Sequence, residues 1–183
     1  NRFGFEEPYS DLAKALSRTQ KGKNYKSFAE ARQNVSDMVG GRLEYNEDKK
    51  EWQFRDKSRR VYDIAATSEG VKKLSILDLL LGNHYLDNQS IILIDEVEAN
   101  LHPSLISRLL DTILSLANAG VQFFIASHSY FVVKRLYIMA PQQAMTIPVL
   151  SFEDGVCQVG DLQQEMPKNP IVDESINWFA THS

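Results

Sequence analysis

The chain has 183 residues, enough for one domain or a large piece of one, and its 43% apolar and 24% charged residues are typical of a soluble globular protein. The first 75 residues hold 16 basic and 12 acidic side chains, a net charge of +4, and the rest hold 4 and 12, a net charge of −8, so only the first part suits an acidic partner such as nucleic acid. No apolar run reaches the roughly 18 residues of a membrane helix and no signal peptide is recognisable, so we expect a cytoplasmic protein without a membrane partner.

Residues 1–41 are predicted to form two helices. A capping box at Ser27 and Glu30 precedes the apolar positions of the second helix, and the glycine pair that begins at Gly40 predicts its end. Between the helices, residues 18–26 carry four basic side chains around a glycine, and we interpret them as a flexible, solvated loop.

The apolar period changes to two between residues 42 and 66. Short apolar runs are separated there by turn-forming clusters, which predicts a small antiparallel β-meander. Its basic side chains and the preceding basic loop motivate a weaker hypothesis, which is contact with nucleic acid or another acidic partner. Those side chains are Lys49, Lys50, Arg55, Arg59 and Arg60.

A turn of small residues, 66–71, precedes a predicted helix with a face of four leucines. Ser68 and Gly70 lie at the start of that helix, where unpaired N–H groups and the positive helix end favour a bound anion. On its own, a Ser-x-Gly pattern before a helix is a weak signal for such a site. The leucines are Leu74, Leu77, Leu80 and Leu81.

Residues 91–94 are four consecutive apolar residues, three of them β-branched. They predict a short, fully buried strand, because no alternation with polar residues is left for a wet face. Asp95 and Glu96 follow at its carboxyl end, which is where open α/β sheets bind ligands. Nucleotide enzymes use such an acid pair to hold Mg²⁺ and orient a water, although an ordinary strand that runs into a polar turn is the alternative.

A strand-helix-strand unit is predicted around and after the acid pair. Residues 103–118 place their apolar side chains on one helix face, and an apolar strand follows at 121–126. The length suits a right-handed parallel crossover, so the two strands should end at the same edge of the sheet. We therefore expect His128, in the sequence Ser-His-Ser, beside Asp95 and Glu96.

The remaining chain is predicted to form a helix, a hairpin and a terminal helix. The first helix covers residues 130–139 and stops before Pro141. Strands at 146–152 and 156–159 flank a turn of hairpin type, and the terminal helix runs from about 172 to 180.

Three motifs, at residues 66–71, 95–103 and 127–129, resemble those of ABC-type ATPases, specifically the soluble branch that includes SMC, RecF and overcoming-lysogenization-defect (OLD) proteins. The sequence E-A-N-L-H-P in the second motif is closer to the OLD-like branch than to transporter subunits. The resemblance covers roughly residues 42–183, after a helical lobe segment at 1–41. It implies an α/β fold, the carboxyl-terminal half of a P-loop NTPase-like ABC ATPase with a parallel sheet core, a small antiparallel β-meander and a terminal hairpin.

The resemblance implies catalytic roles for the residues at the strand ends. Asp95 and Glu96 correspond to the Walker B pair, in which Asp95 holds Mg²⁺ through water and Glu96 polarises the attacking water. His128 corresponds to the switch histidine, which contacts the γ-phosphate of ATP. ATP and Mg²⁺ are thus the cofactors that the resemblance implies.

The resemblance also implies a dimer of two heads. Ser68 and Gly70 correspond to the signature motif, which reaches across the dimer to the ATP of the partner head. Glu69 and Val71 depart from the family's usual Gly and Gln at their positions. Asn100 belongs to the D-loop, which places it at the dimer seam and close to nucleotide.

The nucleotide site is incomplete in this sequence, because a P-loop needs the pattern G-x-x-x-x-G-K-S/T. The one Gly-Lys pair, Gly22 and Lys23, has a serine where the pattern needs its first glycine and an asparagine where it needs serine or threonine. This pair therefore does not form a P-loop. We therefore predict that the P-loop half is cut away or supplied by another segment of the same or another chain. With that half the protein should hydrolyse ATP and form a homodimer, and without it the chain should be inactive.

Two other functions stay open on the sequence. One is a non-catalytic binding or regulatory module with an ATPase-like fold. The other is a metal-dependent nuclease in which Asp95, Glu96 and Glu98 bind Mg²⁺, a reading that leaves the Ser-x-Gly turn and His128 unexplained. The sequence does not decide whether ATP would drive DNA repair, phage defence or control of an effector nuclease.

Overall fold

The computed structural model describes residue 16 and residues 26–46, 48–49 and 51–182. These residues divide into two compact units. The first consists of the described parts of Asn1–Leu93, Ala99–Leu101 and Arg108–Phe124, and the second of the described parts of Ile94–Glu98, His102–Ser107 and Ile125–Ser183.

Most of the segment before residue 26 lies outside the described residues. The first predicted helix and the basic loop fall there, and the proposed boundary after residue 41 stays a prediction. Among the described residues, no helix combines the length and the apolar character that crossing a membrane requires.

The helix α1 (Lys26–Val39) opens the continuous part of the first unit. Gly40 ends it with a φ of 71°, and the Gly40 N–H donates to the Ser36 carbonyl oxygen at 3.0 Å, as the glycine pair predicts. Because α1 already includes Lys26, the capping box at Ser27 is wrong about where the helix begins. The buried side chains of α1 are Phe28, Ala31, Val35, Met38 and Val39.

Three strands in chain order form the predicted antiparallel meander: β1 (Gly41–Asn46), β2 (Glu51–Asp56) and β3 (Val61–Asp63). The register pairs Leu43 with Phe54, and both side chains are buried. The other positions of these strands are half-buried or exposed. One face of the meander therefore contributes to the core, where β1 packs against α1.

The helix α2 (Glu69–Gly82) packs against α1 and buries a carboxylate that lies near an exposed arginine of α1. Asp78 of α2 is buried, and its Oδ1 lies 3.4 Å from Nε of Arg32 in α1. Burial is the largest influence on this carboxyl group and raises the pKa of Asp78 above its ordinary value of 3.8. The leucines of the predicted face that are buried are Leu74, Leu77 and Leu81.

Two strands joined by a helix follow: β4 (Ile91–Asp95), α3 (Pro103–Asn118) and β5 (Gln122–Ala126). At their starts, the Gln122 N–H donates to the Ser90 carbonyl oxygen at 2.9 Å. At their ends, the Glu96 N–H donates to the Ala126 carbonyl oxygen at 3.0 Å. The two strands therefore run parallel, as the strand-helix-strand pattern predicts, and α3 has its predicted bounds.

The strand β4 is open to solvent on one face. Ile91 and Leu93 are 58% and 78% exposed, and Phe124 on β5 is exposed as well. The prediction of a fully buried strand is therefore wrong for the described chain, because this face has no cover among the described residues.

The helix α4 (Tyr130–Gln142) runs three residues past its predicted end. Pro141 lies in its last turn, so the predicted stop before this proline is wrong. A proline at that position removes only one N–H from the helix. The Gln143 N–H donates to the Met139 carbonyl oxygen at 3.0 Å and completes the helix end.

A hairpin and a helix complete the second unit: β6 (Pro148–Glu153), β7 (Val156–Asp161) and α5 (Pro170–His182). Asp154 and Gly155 both have positive φ, 47° and 77°, as a two-residue type I′ turn requires, so the predicted hairpin is confirmed. Asn169 Oδ1 accepts a hydrogen bond from the Val172 N–H at 2.9 Å near the start of α5. The helix begins two residues before its predicted start.

The hairpin presents its apolar face to solvent. Its register places Leu150 opposite Val159 and Phe152 opposite Cys157, and all four side chains are exposed. The opposite face carries the buried Ser151, whose hydroxyl accepts a hydrogen bond from the Asn169 side chain at 3.3 Å. An antiparallel sheet normally buries its apolar face, so this arrangement is inverted.

Candidate functional site

Glu96 follows the last residue of β4 in an uncommon backbone conformation. Its φ is 47°, in the left-handed region that costs a residue other than glycine about 1–2 kcal/mol. The hydrogen bond from its N–H to the Ala126 carbonyl oxygen holds this conformation at the end of β5. Glu96 and the neighbouring Asp95 are both exposed, so two carboxylates face solvent at this edge of the sheet.

Glu98 joins the loop after β4 to the loop after β5. Its side chain is only 11% exposed. Both carboxylate oxygens lie 2.9 Å from the Ser127 hydroxyl, and the His128 N–H donates to Oε1 at 3.2 Å. Glu98 was predicted only as a metal ligand, because nothing local in the sequence links it to residues near position 127.

His128 lies beside Glu96, at the distance of an ionic contact. Its Nδ1 is 3.7 Å from Oε1 of Glu96 and 3.7 Å from Oε1 of Glu98. The imidazole is 73% exposed and borders a shallow groove with Glu153 and the first turn of α5. A protonated imidazole here would be attracted to two carboxylates, and its exposure leaves it open to a ligand.

Ser68 and Gly70 shape the start of α2 in the first unit. The Ser68 hydroxyl accepts a hydrogen bond from the Val71 N–H at 3.3 Å and caps the helix. A Cβ added at Gly70 would overlap the carbonyl oxygen of Asn100 and lie 2.8 Å from Cδ2 of Leu101. Glycine therefore permits a close approach of α2 to this loop, a packing role that the local sequence does not predict.

The predicted site residues fall into two groups, one in each unit. The strand-end group lies in the second unit, with the acid pair and the histidine at one sheet edge. The other group lies in the first unit, where the helix start approaches the loop after the acid pair. The strand-end group is Asp95, Glu96 and His128, and the other is Ser68, Gly70 and Asn100.

Comparison with known proteins decides the family. Residues 3–134 match the family described as AAA domain, putative AbiEii toxin, Type IV TA system, and this match spans more than half of the chain. The chain belongs to this AAA family. The match begins at residue 3 and therefore includes most of the segment before residue 42. None of the curated proteins matches the AAA chain.

The fold of the AAA chain is that of SMC head domains. The SmcHead bound to the C-winged helix domain of ScpA shares 22% identity over 81% of this chain and 42% of that chain, with a TM-score of 0.52. An SMC ATPase described for ATP-driven dimerization and DNA-stimulated activation shares 20% identity over 85% of this chain and 92% of that chain, with a TM-score of 0.50. The Smc head from Pyrococcus furiosus, with an extended coiled coil and bound to the C-terminal domain of ScpA, shares 19% identity over 94% of this chain and 39% of that chain, with a TM-score of 0.50. The chain thus spans less than half of the first structure, and the α/β fold class predicted from the sequence is confirmed.

The AAA domain offers exposed carboxylate oxygen to a cation at the end of β4. Mg²⁺ is usually held by one or two carboxylates together with phosphate oxygens and waters, so Asp95 fits that ion. In the part of the chain that the structure describes, no three His, Cys, Asp or Glu side chains are grouped as a metal ion would need. Glu98 accepts hydrogen bonds from the Ser127 hydroxyl and the His128 N–H.

Acidic neighbours accompany the basic side chains of the AAA domain's meander. Arg55 Nε lies 2.8 Å from a Glu44 carboxylate oxygen, and Arg60 Nε lies 2.9 Å from an Asp56 carboxylate oxygen. The hydrogen bond from Arg55 is the largest influence on Glu44 and holds the pKa of that carboxyl below its ordinary value. Such pairing reduces the positive charge that a nucleic acid would meet. The loop at 18–25 lies outside the described residues, so the nucleic-acid hypothesis stays a prediction.

Proposed function

We propose that this AAA chain is the carboxyl-terminal half of an ATP-hydrolysing head that is completed by a segment carrying the P-loop. The observation that carries the proposal is that the polar residues following β4 and β5 lie next to each other. Glu96 is hydrogen-bonded to Ala126 at the end of β5 and lies 3.7 Å from His128. A carboxylate and a histidine at this edge suit a reaction in which a water molecule attacks a phosphate group.

Each exposed side chain at this edge has a proposed task. Asp95 holds Mg²⁺ through water, and the ion neutralises charge that develops on the phosphate oxygens. Glu96 polarises the attacking water, and His128 contacts the γ-phosphate. The backbone hydrogen bond of Glu96 supports this assignment, because a carboxylate held in advance reorganises less during the reaction.

The residues of the first unit are proposed to complete the site of a second head. The Ser68 hydroxyl accepts a hydrogen bond from Val71 and keeps its own proton, so it can donate to a phosphate oxygen. Gly70 lies with it at the positive end of α2, which favours an anion. Asn100 would lie at the seam between the heads. The ATP-driven dimerization described for an SMC ATPase of this fold supports the arrangement.

Exposed apolar strand faces support the existence of a further segment. The face of β4 and β5 in the first unit includes Ile91, Leu93 and Phe124, and the hairpin face in the second unit includes Leu150 and Phe152. Burying a Leu or Phe side chain contributes about 1.5–3 kcal/mol, so each face suits an apolar partner. The proposed occupant is the P-loop half, from the same or another chain.

We propose that ATP hydrolysis drives phage defence or another DNA-related process in the cytoplasm. The family description names a putative toxin of a type IV toxin–antitoxin system, and the sequence E-A-N-L-H-P resembles the corresponding motif of OLD-like proteins. A nucleic acid or an effector nuclease would then be the partner. The competing function is a regulatory module, which would not bind nucleotide even with the P-loop half present. The geometry of the described residues does not favour a nuclease, because they include no group of three side chains that could hold a metal ion.

The variant Glu96→Gln tests the proposal in a polypeptide that also carries the P-loop segment. Turnover should fall by about 10²- to 10³-fold, because the amide cannot polarise the water, while ATP binding should persist. Trapped ATP should then hold two heads together, which light scattering would report as a doubled mass. The matched control is Glu165→Gln, an exposed carboxylate of the same unit, which should hydrolyse ATP like the wild type.

Adding Ser68→Arg to Glu96→Gln should release the dimer, because the long side chain cannot fit against the phosphate of the other head. A mass for Glu96→Gln that does not respond to ATP, or a dimer that survives Ser68→Arg, would refute these assignments. Absence of nucleotide binding in the complete polypeptide would favour the regulatory module.

A further inference from the structure

Glu98 is a charged side chain that the protein keeps largely out of water. Only 11% of it is exposed. Burying a carboxylate is costly unless hydrogen-bond donors replace its water. Two groups do so here: the Ser127 hydroxyl, 2.9 Å from both oxygens, and the His128 N–H, 3.2 Å from Oε1.

These hydrogen bonds fix a short segment rather than one side chain. The Ser127 hydroxyl also accepts a hydrogen bond from the Ser129 N–H at 3.1 Å, so residues 127–129, the switch segment, are tied to one carboxylate. The His128 imidazole is 73% exposed and receives little support from packing. The backbone of residue 128, which Glu98 holds in place, therefore determines the position from which the imidazole extends.

We infer that Glu98 is a positioning residue that orients His128 for the reaction by holding the switch segment, an inference that rests on the proposed ATPase function. Glu98 does not touch ATP in this account, because its oxygens are buried and already accept hydrogen bonds. Displacing a reacting group by about 1 Å costs on the order of 10²-fold in rate. A loosened switch segment should therefore reduce turnover before it affects nucleotide binding.

The first test is kinetic and uses the polypeptide that also carries the P-loop segment. Glu98→Ala should lower kcat by about 10- to 100-fold and change the Kd of Mg·ATP by less than about threefold, because only the orientation of the histidine is lost. The control Glu165→Ala should leave both values at the wild-type level.

Ser127 provides a milder variant and a rescue. Ser127→Ala removes one donor and leaves the His128 N–H, so kcat should fall by roughly 3- to 10-fold. Ser127→Thr keeps the hydroxyl and should retain at least about half of the wild-type kcat. The double variant Glu98→Ala with Ser127→Ala should lose less than the product of the two single effects, because both changes remove the hydrogen bond between Ser127 and Glu98.

Hydrogen exchange gives a readout that does not depend on ATP. Because the His128 N–H donates to Glu98, Glu98→Ala should speed amide exchange in the switch segment by at least about tenfold. Peptides from the middle of α4 and from β7 should exchange as in the wild type. Mass spectrometry of peptides that cover residues 127–129 makes the measurement.

The inference is overturned if Glu98→Ala keeps the wild-type kcat or leaves exchange in the switch segment unchanged. It is also overturned if ATP binding and exchange across the whole second unit change together, because Glu98 would then be a general stabilising residue. Failure of the proposed function looks different, since the complete polypeptide would then not bind ATP, or Glu96→Gln would hydrolyse ATP at the wild-type rate. The exchange result would even then decide whether Glu98 holds the switch segment.

Discussion

An alanine in place of Gly70 is expected to destabilise the protein, because a Cβ has no room at this position. The added carbon would overlap the Asn100 carbonyl oxygen, lie 3.2 Å from the Asn100 carbonyl carbon and lie 2.8 Å from Cδ2 of Leu101. Carbon atoms in ordinary contact are about 3.5–4.0 Å apart. Either the start of α2 or the loop at Asn100 must therefore move, by about 1 Å.

Two opposing terms set the size of the effect. Alanine is favoured over glycine inside a helix by about 1 kcal/mol, and Gly70, the second residue of α2, gains at most that amount. Overpacking costs about 1–3 kcal/mol, and the upper part of that range applies when the obstacle is backbone. We expect a net loss of about 1–2 kcal/mol, which lowers the Tm by roughly 2–8 °C in a chain of this size.

Urea unfolding followed by circular dichroism measures the loss against a matched control. A Cβ added at Gly160 meets nothing within 4 Å, so Gly160→Ala should stay within about 0.5 kcal/mol of the wild type. If Gly70→Ala is as stable as the wild type or more stable, the loop at Asn100 does not approach α2 as closely as the structure indicates, and the packing role of Gly70 is refuted.

Two further predictions concern single side chains. Because burial raises the pKa of Asp78, its charged form opposes folding, and its contribution to stability is present below pH 3.8 and is lost as pH rises through the raised pKa. Asp78→Asn should therefore be more stable than the wild type at neutral pH by roughly 1 kcal/mol, and urea unfolding that shows this advantage growing toward about pH 4 would contradict the sign. Leu93 is 78% exposed, so Leu93→Glu should change the stability of the chain by less than about 0.5 kcal/mol. It should nevertheless weaken binding of a separate P-loop segment at least about tenfold in calorimetry, and unchanged binding would exclude the β4–β5 face as the docking surface.

Local patterns predicted most elements, because their signals act over a few residues. Pro103 and one apolar stripe gave the bounds of α3. The turn at Asp154 and Gly155 needs two positive φ angles, which this pair of residues tolerates, and it located the hairpin. Helix ends were less certain, because Pro141 removes only one N–H from the last turn of α4.

Contacts between distant parts of the chain could not be predicted in the same way. Glu98 and Ser127 are 29 positions apart, and their hydrogen bond exists only because β4 and β5 end side by side. The same pairing brings His128 to Glu96, which the sequence could anticipate because strand order follows from the crossover rule. Exposure of the β4 face could not be anticipated, because four apolar residues in a row do not show whether another element covers both faces of the strand.

The left-handed backbone at Glu96 places this residue under two opposing selective pressures. Glycine or asparagine would adopt a φ of 47° at lower cost, so selection for thermal stability alone would replace the glutamate. In the proposed function, the carboxylate is retained at this position because its oxygens polarise the attacking water. Position 96 is thus a place where evolution of a more heat-resistant protein and evolution of a more active one would choose different amino acids.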